Sequence, residues 1–207
     1  MSKPIVAAFD FDGTLSRGTS GIRLYRHLLG TAGFVGMGLT HLPTAVRYAL
    51  RWGDEAALRT FNRVVFAGRE AAAVQREAAC YRSEILPRHL IAESVARLRE
   101  HHDRGDRCII VSRGYELYLR PWAETLGVTD VLATRLSVGP DGRLTGEMPE
   151  PSCDSAAKRE RLFALLGPRE GYELHAYGDS PGDHEMLAAA DHAWMRGPGG
   201  FVRWAPA

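Results

Sequence analysis

The sequence predicts an α/β fold, a doubly wound parallel sheet carrying one helical insertion. Three observations predict it. Short apolar runs at Pro4–Phe9, Arg107–Ser112, Val131–Thr134, Leu174–Tyr177 and Ala193–Met195 have the length and composition of buried strands. Segments with helical spacing separate most of them, and strands separated by helices pair in parallel. From Leu15 to about Pro87 there is no comparable strand, so this stretch reads as a helical insertion.

The elements follow in order. Pro4–Phe9 stops at Asp10-Phe11-Asp12-Gly13. Inside the insertion, Leu58, Phe61 and Val65, and then Val74, Ala78, Tyr81 and Ile85, keep i, i+3/i+4, i+7 spacing. Residues 16–87 are thus the insertion, roughly the size of a small domain, and residues 1–15 and 88–207 form the core. Ile91, Val95, Leu98 and His102 mark one helix, and "RCIIVS" is the next strand. Tyr115–Leu126 is helical and ends at Gly127, the residue type that closes helices. Beyond Val131–Thr134, "RLSVGPDGRLTGEM" reads as a hairpin turning at Gly139-Pro140-Asp141-Gly142. Ala156–Leu166 is a helix stopped by Gly167-Pro168, and Pro181–Ala190 is another between the last two strands.

Composition bounds the function. The 207 residues are 45% hydrophobic and 25% charged, which suits a well-packed core without a large disordered part. A net charge of +1 argues against general nucleic-acid binding. Cys80, Cys108 and Cys153 are odd in number and widely spaced, giving neither a disulfide framework nor a zinc pattern. No leader-like segment precedes the first strand, so a cytoplasmic protein is expected. Trp52 and Trp204 could serve an interface, but lone tryptophans usually pack partly buried, and the sequence does not fix an oligomeric state. Only Lys3 and Lys158 are lysines among the 26 basic residues, which makes Lys158 conspicuous.

In such sheets ligands bind at the carboxyl ends of strands. Those ends carry Asp10-Phe11-Asp12-Gly13-Thr14, then Ser112-Arg113-Gly114, then Gly178-Asp179-Ser180-Pro181-Gly182-Asp183, and Lys158 precedes the last. Each has a plain structural reading. Asp12-Gly13 suits a turn, Ser180 to Asp183 a capping box, Ser112 to Gly114 an ordinary loop, and Lys158 a solvated helix residue. Together they put four acids, a hydroxyl and a lysine at one sheet edge. Carboxylates so gathered need a cation to stay ionised, and oxygen-rich sites suit Mg2+.

The set resembles the haloacid dehalogenase superfamily of aspartate-nucleophile phosphatases, through "FDFDGTL" at 9–15, "IIVSRG" at 109–114, Lys158 and "GDSPGDHEM" at 178–186. The position of the insertion, with "ELYLRPWAETLGV" and "AYGDSPGDHEMLAAAD", is similar to the phosphoserine-phosphatase-like branch. That resemblance implies a Rossmann-like core and makes the insertion an α-helical cap. It also implies Asp10 as nucleophile, Asp12 as general acid and base, and Lys158 as the neutralising cation. Dehalogenases of the superfamily lack the second acid, so Asp12 argues for phosphate chemistry. Mg2+ would be held by Asp10, the Asp12 carbonyl and Asp179, with Asp183 supporting the metal and orienting Lys158. Ser112 and the backbone amides of Phe11, Gly13, Arg113 and Gly114 would hold phosphate.

The cap bears on the substrate. Between Gly13 and Gly53 there is no acid, while Arg17, Arg23, Arg26, Arg47 and Arg51 are present. His27–Val46 runs twenty residues without a charged side chain, about the length of a membrane span, though four glycines, a proline and two histidines dilute it. The alternatives are a span, a buried or substrate-facing helix pair, and an apolar surface in weak contact with membrane. Phosphoserine phosphatases have an acid shortly after the first motif to bind the substrate amine; Arg17, Thr19 and Ser20 stand here instead. Arg113 occupies a loop where small residues are usual, either to meet a second anionic group or to face solvent. The expected function is therefore Mg2+-dependent hydrolysis of a small phosphorylated metabolite. A lipid-phosphate phosphatase at the membrane surface and a non-catalytic regulatory module of the same fold are the alternatives.

Overall fold

The computed structural model describes residues 3–50 and 54–206; Arg51 and Trp52, singled out above, lie outside the described residues. Six strands form one sheet: β1 (Ile5–Phe9), β2 (Arg107–Tyr115), β3 (Asp130–Thr134), β4 (Glu173–Gly178), β5 (His192–Gly197) and β6 (Gly200–Arg203). Their order is β3-β2-β1-β4-β5-β6. All neighbours are parallel except β5 and β6. The strand order reverses between β1 and β4, and such a switch point opens a crevice at the carboxyl ends.

β1 is buried along nearly its whole length because both of its faces are covered. Val6 and Ala8 pack with Ile109, Val111, Leu174 and Ala176 under α7 (Ala156–Leu166) and α8 (His184–Ala188). Ala7 and Phe9 point the other way, among Ile110, Tyr177 and residues of α5 (Ala92–Asp103) and α6 (Glu116–Glu124). This alternation is the period-2 geometry of a strand.

Between β1 and α5 lie α1 (Ser20–Thr40), α2 (Leu42–Leu50), α3 (Glu55–Phe66) and α4 (Ala71–Cys80), then a π turn at Tyr81–Ile85 and a 3-10 turn at Leu86–His89. Leu58, Phe61, Val65, Val74, Ala78 and Tyr81 are buried, as their spacing predicts. α1 breaks at Gly30, whose φ of 67° interrupts the helix, and His41 separates α1 from α2. The apolar segment 27–46 is therefore three short pieces. Among the described residues no helix is long and apolar enough to cross a membrane.

Three expectations are corrected. In α5 the fourth inward residue is His101, 1% exposed, not His102; His101 bonds Asp106 and Tyr177 through its two ring nitrogens, at 2.7 and 2.8 Å. The last helix is shorter than Pro181–Ala190, because Pro181–Asp183 forms a 3-10 turn before α8. The chain also adds β6, which follows a Gly-Pro-Gly-Gly turn and pairs only with β5. The expected hairpin is present as a narrow ladder: Gly139 N–H donates to Arg143 O (2.7 Å) and Ser137 N–H to Glu147 O (2.8 Å). Its tip lies against the loop between α3 and α4, where Gly68 N–H donates to Leu144 O and Leu144 N–H to Arg69 O, both at 2.8 Å.

Candidate active site

The site occupies the switch point. Asp10 follows the last residue of β1, and its N–H donates to Tyr177 O on β4 (2.9 Å). Asp179 follows β4, and Lys158 is the third residue of α7. Lys158 is 3% exposed, and its Nζ donates to Asp10 Oδ1 and to Asp183 Oδ1, each at 2.6 Å. Burial disfavours the ammonium, but the carboxylates of Asp10 and Asp183 outweigh it and hold Lys158 charged. Asp183 is fully buried, and its other oxygen accepts from the Asp179 N–H, the Ser180 N–H and the Ser180 hydroxyl, all at 3.1 Å. It is a bracket for Lys158 and for the Asp179 loop, with both oxygens engaged.

Asp10 Oδ2 is different: it is buried and has no hydrogen-bond partner. Burial pushes the Asp10 carboxyl well above its usual range, Lys158 opposes this, and Asp183 and Asp179 add to it. Burial, then the neighbouring Asp183, raises Asp179 to about 6. One oxygen of each of Asp10, Asp179 and Asp183 lies within 4.8 Å of the others. An orphaned carboxylate oxygen among hard oxygen donors that resist ionising together is what a divalent cation such as Mg2+ relieves. The residues present therefore fit that ion.

Asp12 sits on the loop after β1. Its Oδ1 accepts the Ser20 N–H from the first turn of α1 (2.9 Å). Burial holds its carboxyl above the usual range, partly offset by the bonds from Ser20. Gly13 has φ of +89°, and a Cβ there would come within 2.0 Å of Asp179 Oδ2. Two of the amides expected to hold phosphate are engaged otherwise. Gly13 N–H donates to Ser16 O (2.7 Å) and Gly114 N–H to the Ser112 hydroxyl oxygen (3.0 Å), because each closes its own tight loop. Ser112 is fully buried inside β2, which runs on to Tyr115 through a register shift after Val111 rather than stopping at Ser112 as expected, and its hydroxyl proton is not used in that bond. Phe11 directs its side chain inward against Trp122, edge to face at 4.9 Å, so only its backbone faces the site.

The cavity over these groups is lined by Asp10, Asp12, Lys158, Asp179 and Arg113, and by Tyr48, Tyr25, Tyr115 and Asp154. It leaves about 60 Å3 for the centres of water-sized groups. Tyr25 and Tyr115 both donate to Asn62 Oδ1, at 2.7 and 2.5 Å, and their hydroxyls also meet each other. The Tyr118 and Ser20 hydroxyls are 2.5 Å apart. Asp54, the first acid after Asp12, is committed to Arg47 (2.9 Å) and to the Ala57 N–H (2.8 Å) at the start of α3.

Sequence reasoning missed Asp154, Tyr48, Tyr25 and Asn62. Asp154 could have been noticed as an acid four residues before Lys158; the other three carry no local signal. It also missed a cluster at the opposite end of the sheet, where Glu173 Oε1 meets His175 Nε2 (3.3 Å) and His192 Nε2 (2.8 Å). Arg203 stands 3.2 Å from the other nitrogen of His192.

Comparison with known proteins gives the family and the fold. A family model for haloacid dehalogenase-like hydrolases matches residues 7–188. The chain is 31% identical to Protein CicA of Caulobacter vibrioides over 198 residues, covering 94% of this chain and 86% of that one. Its fold superposes on a protein of unknown function from Bordetella pertussis Tohama I with a TM-score of 0.76, at 22% identity over 90% of this chain and 86% of that one. It also superposes on a phosphoserine phosphatase in a phospho-aspartyl intermediate analogue form, with a TM-score of 0.60, 22% identity and coverage of 92% and 84%.

Proposed function

The chain belongs to the haloacid dehalogenase-like hydrolases; from that premise we propose that it is a Mg2+-dependent phosphomonoesterase working through an aspartyl-phosphate on a small phosphorylated metabolite. One observation carries the reading: Lys158 Nζ sits 2.6 Å from both Asp10 and Asp183, beside an Asp10 oxygen with no partner.

Phosphate monoesters resist anionic nucleophiles, so catalysis rests on neutralised charge and fixed geometry. Asp10 attacks phosphorus, and the ester oxygen leaves. Lys158 offsets the charge of the attacking carboxylate and cannot wander, because Asp183 holds its other side. Asp12, raised by burial and held by Ser20, gives its proton to the leaving alkoxide. It then takes one from the water that cleaves the aspartyl-phosphate, so one difficult step becomes two easier ones. Ser112 donates its hydroxyl to a phosphoryl oxygen. Mg2+, held by Asp10, Asp179 and the Asp12 carbonyl with Asp183 behind them, would supply electrostatic stabilisation of the phosphoryl oxygens. In this reading residues 1–15 and 88–207 are the catalytic core, and 16–87 are a cap that closes the cavity against water.

The test is phosphate release from a panel of soluble monoesters, with Mg2+ or EDTA, for wild type and Asp10→Asn. Metal-dependent release abolished in a folded Asp10→Asn protein supports the mechanism; near-wild-type activity in that variant sinks it.

One observation favours a second reading, a lipid-phosphate phosphatase. Val35, Leu39, Leu42, Val46 and Leu50 are exposed by 52, 69, 53, 48 and 80% along the end of α1 and α2, an apolar surface that suits a lipid interface. Co-sedimentation with anionic vesicles, and faster turnover of micellar than of soluble esters, distinguishes this from the first reading.

A further inference from the structure

Among the described residues, Arg113 is the one cation lining the cavity that nothing in the proposed chemistry uses. Its side chain is 14% exposed, and both Nε and Nη2 are buried without a hydrogen-bond partner. Its nearest acid is Asp154, with Nη1 and Oδ2 3.7 Å apart, beyond hydrogen-bonding distance. Asp154 spends its other oxygen on the Ser155 N–H (3.0 Å). One face of the guanidinium lies over the Tyr48 ring, 5.3 Å from its centroid. Arg23 and Arg69 also leave a buried nitrogen unbonded, but only one each.

A buried ion without hydrogen bonds is costly, and it persists where a ligand supplies what the protein does not. Here two nitrogens of one guanidinium edge are free, and that edge matches two oxygens of a carboxylate or phosphate. Tyr48 on α2 supports the plane from the inserted helices, while β2 supplies the backbone, so both halves of the molecule build the subsite. Arg113 and Tyr48 line the same cavity as Asp10, Asp12 and Lys158, so a group held by Arg113 belongs to the molecule whose phosphate is being hydrolysed.

We propose that Arg113 binds a second anionic group of the substrate, a carboxylate or a second phosphate, and that the enzyme selects phosphomonoesters carrying such a group. The inference rests on the phosphomonoesterase reading above. It makes Arg113 a specificity residue, distinct from the groups that touch the transferred phosphoryl.

The experiment compares three matched three-carbon esters: 3-phosphooxypropionate, propane-1,3-diol bisphosphate and propyl phosphate. In wild-type enzyme kcat/KM for one or both esters carrying a second anionic group exceeds that for propyl phosphate by roughly 10- to 100-fold, the range of a charge-assisted hydrogen-bonded pair. The carboxylate and bisphosphate arms tell which anion is read. In Arg113→Met and Arg113→Gln the ratio falls towards one, mainly through KM. The same ligands are titrated calorimetrically into Asp10→Asn protein, which reads the affinity ratio without turnover. Equal wild-type handling of all three esters overturns the proposal, as does a preference that survives both Arg113 variants. If wild type hydrolyses none of them, the phosphatase reading fails for these esters, and the calorimetric ratio alone upholds or overturns the Arg113 subsite.

Discussion

At Gly13 two constraints meet in one residue. Its φ of +89° disfavours any side chain, and a Cβ would strike Asp179 Oδ2 at 2.0 Å. Gly13→Ala must therefore move the loop or the acid, and a displacement of that order costs about 100-fold in rate. Steady-state phosphate release, with circular dichroism to show an intact fold, checks this; undiminished turnover would mean that Asp179 is not needed where it stands. The acids and Lys158 were legible in the sequence because strand ends can be located from apolar runs, and charged groups crowded at one sheet edge demand a partner. Asp154 was not, because an acid just before a helix reads as a cap. Tyr48 was not, because a tyrosine in an apolar stretch says nothing about which cavity it will reach.

The elements that carry these residues are joined by hydroxyls. Tyr118 on α6 meets Ser20 at the start of α1, and the Ser20 N–H in turn holds Asp12. Tyr118→Phe removes that bond and leaves the Ser20 hydroxyl in a buried site. A loss of about 1–2 kcal/mol is expected, read by urea unfolding, together with faster amide exchange in the first turn of α1. Unchanged exchange there would show that the helix is held by packing alone. Helix spacing was legible for α3, α4 and α7 because their apolar stripes face a core. α1 was not legible as a broken helix: its glycines dilute any stripe, and only the backbone angle at Gly30 shows the break. The hairpin was legible from Gly139-Pro140-Asp141-Gly142, yet its pairing with the loop after α3 is a long-range contact without local signature. β6 escaped notice because an edge strand pairs on one side only, and Gly-Pro-Gly-Gly before it reads as a terminus.

For the whole molecule, the acid cluster is a charge held against its own repulsion. Asp179 titrates near 6 in the fold against 3.8 for an ordinary aspartate. The folded chain thus keeps a proton that the unfolded chain releases, and without metal this group makes stability fall as pH rises from about 4 to about 6, the full penalty standing above that. On the proposed reading Mg2+ binds the ionised form, so it reverses the trend. At 100 times its Kd the ion adds about 2.7 kcal/mol, and the gain shrinks as pH drops through 6. Thermal unfolding at pH 5 and pH 8, with and without Mg2+, checks both signs; a metal-induced rise that is larger at pH 5 contradicts them. The alternation of β1 between two cores made the parallel sheet legible from short apolar runs. The insertion was expected to be a helical cap only through the family resemblance, and the contacts that hold it over the sheet were not legible, since they depend on how Tyr25, Asn62 and Tyr115 find one another across the chain. The cavity beneath them, about 60 Å3, has a temporal consequence. On the proposed reading, a chamber with so little spare room acts as an airlock whose inserted helices part to admit each molecule. If that opening, rather than bond breaking, sets the pace, kcat slows in step with the viscosity of glycerol-thickened buffer. If kcat ignores viscosity, the doors move faster than the chemistry behind them.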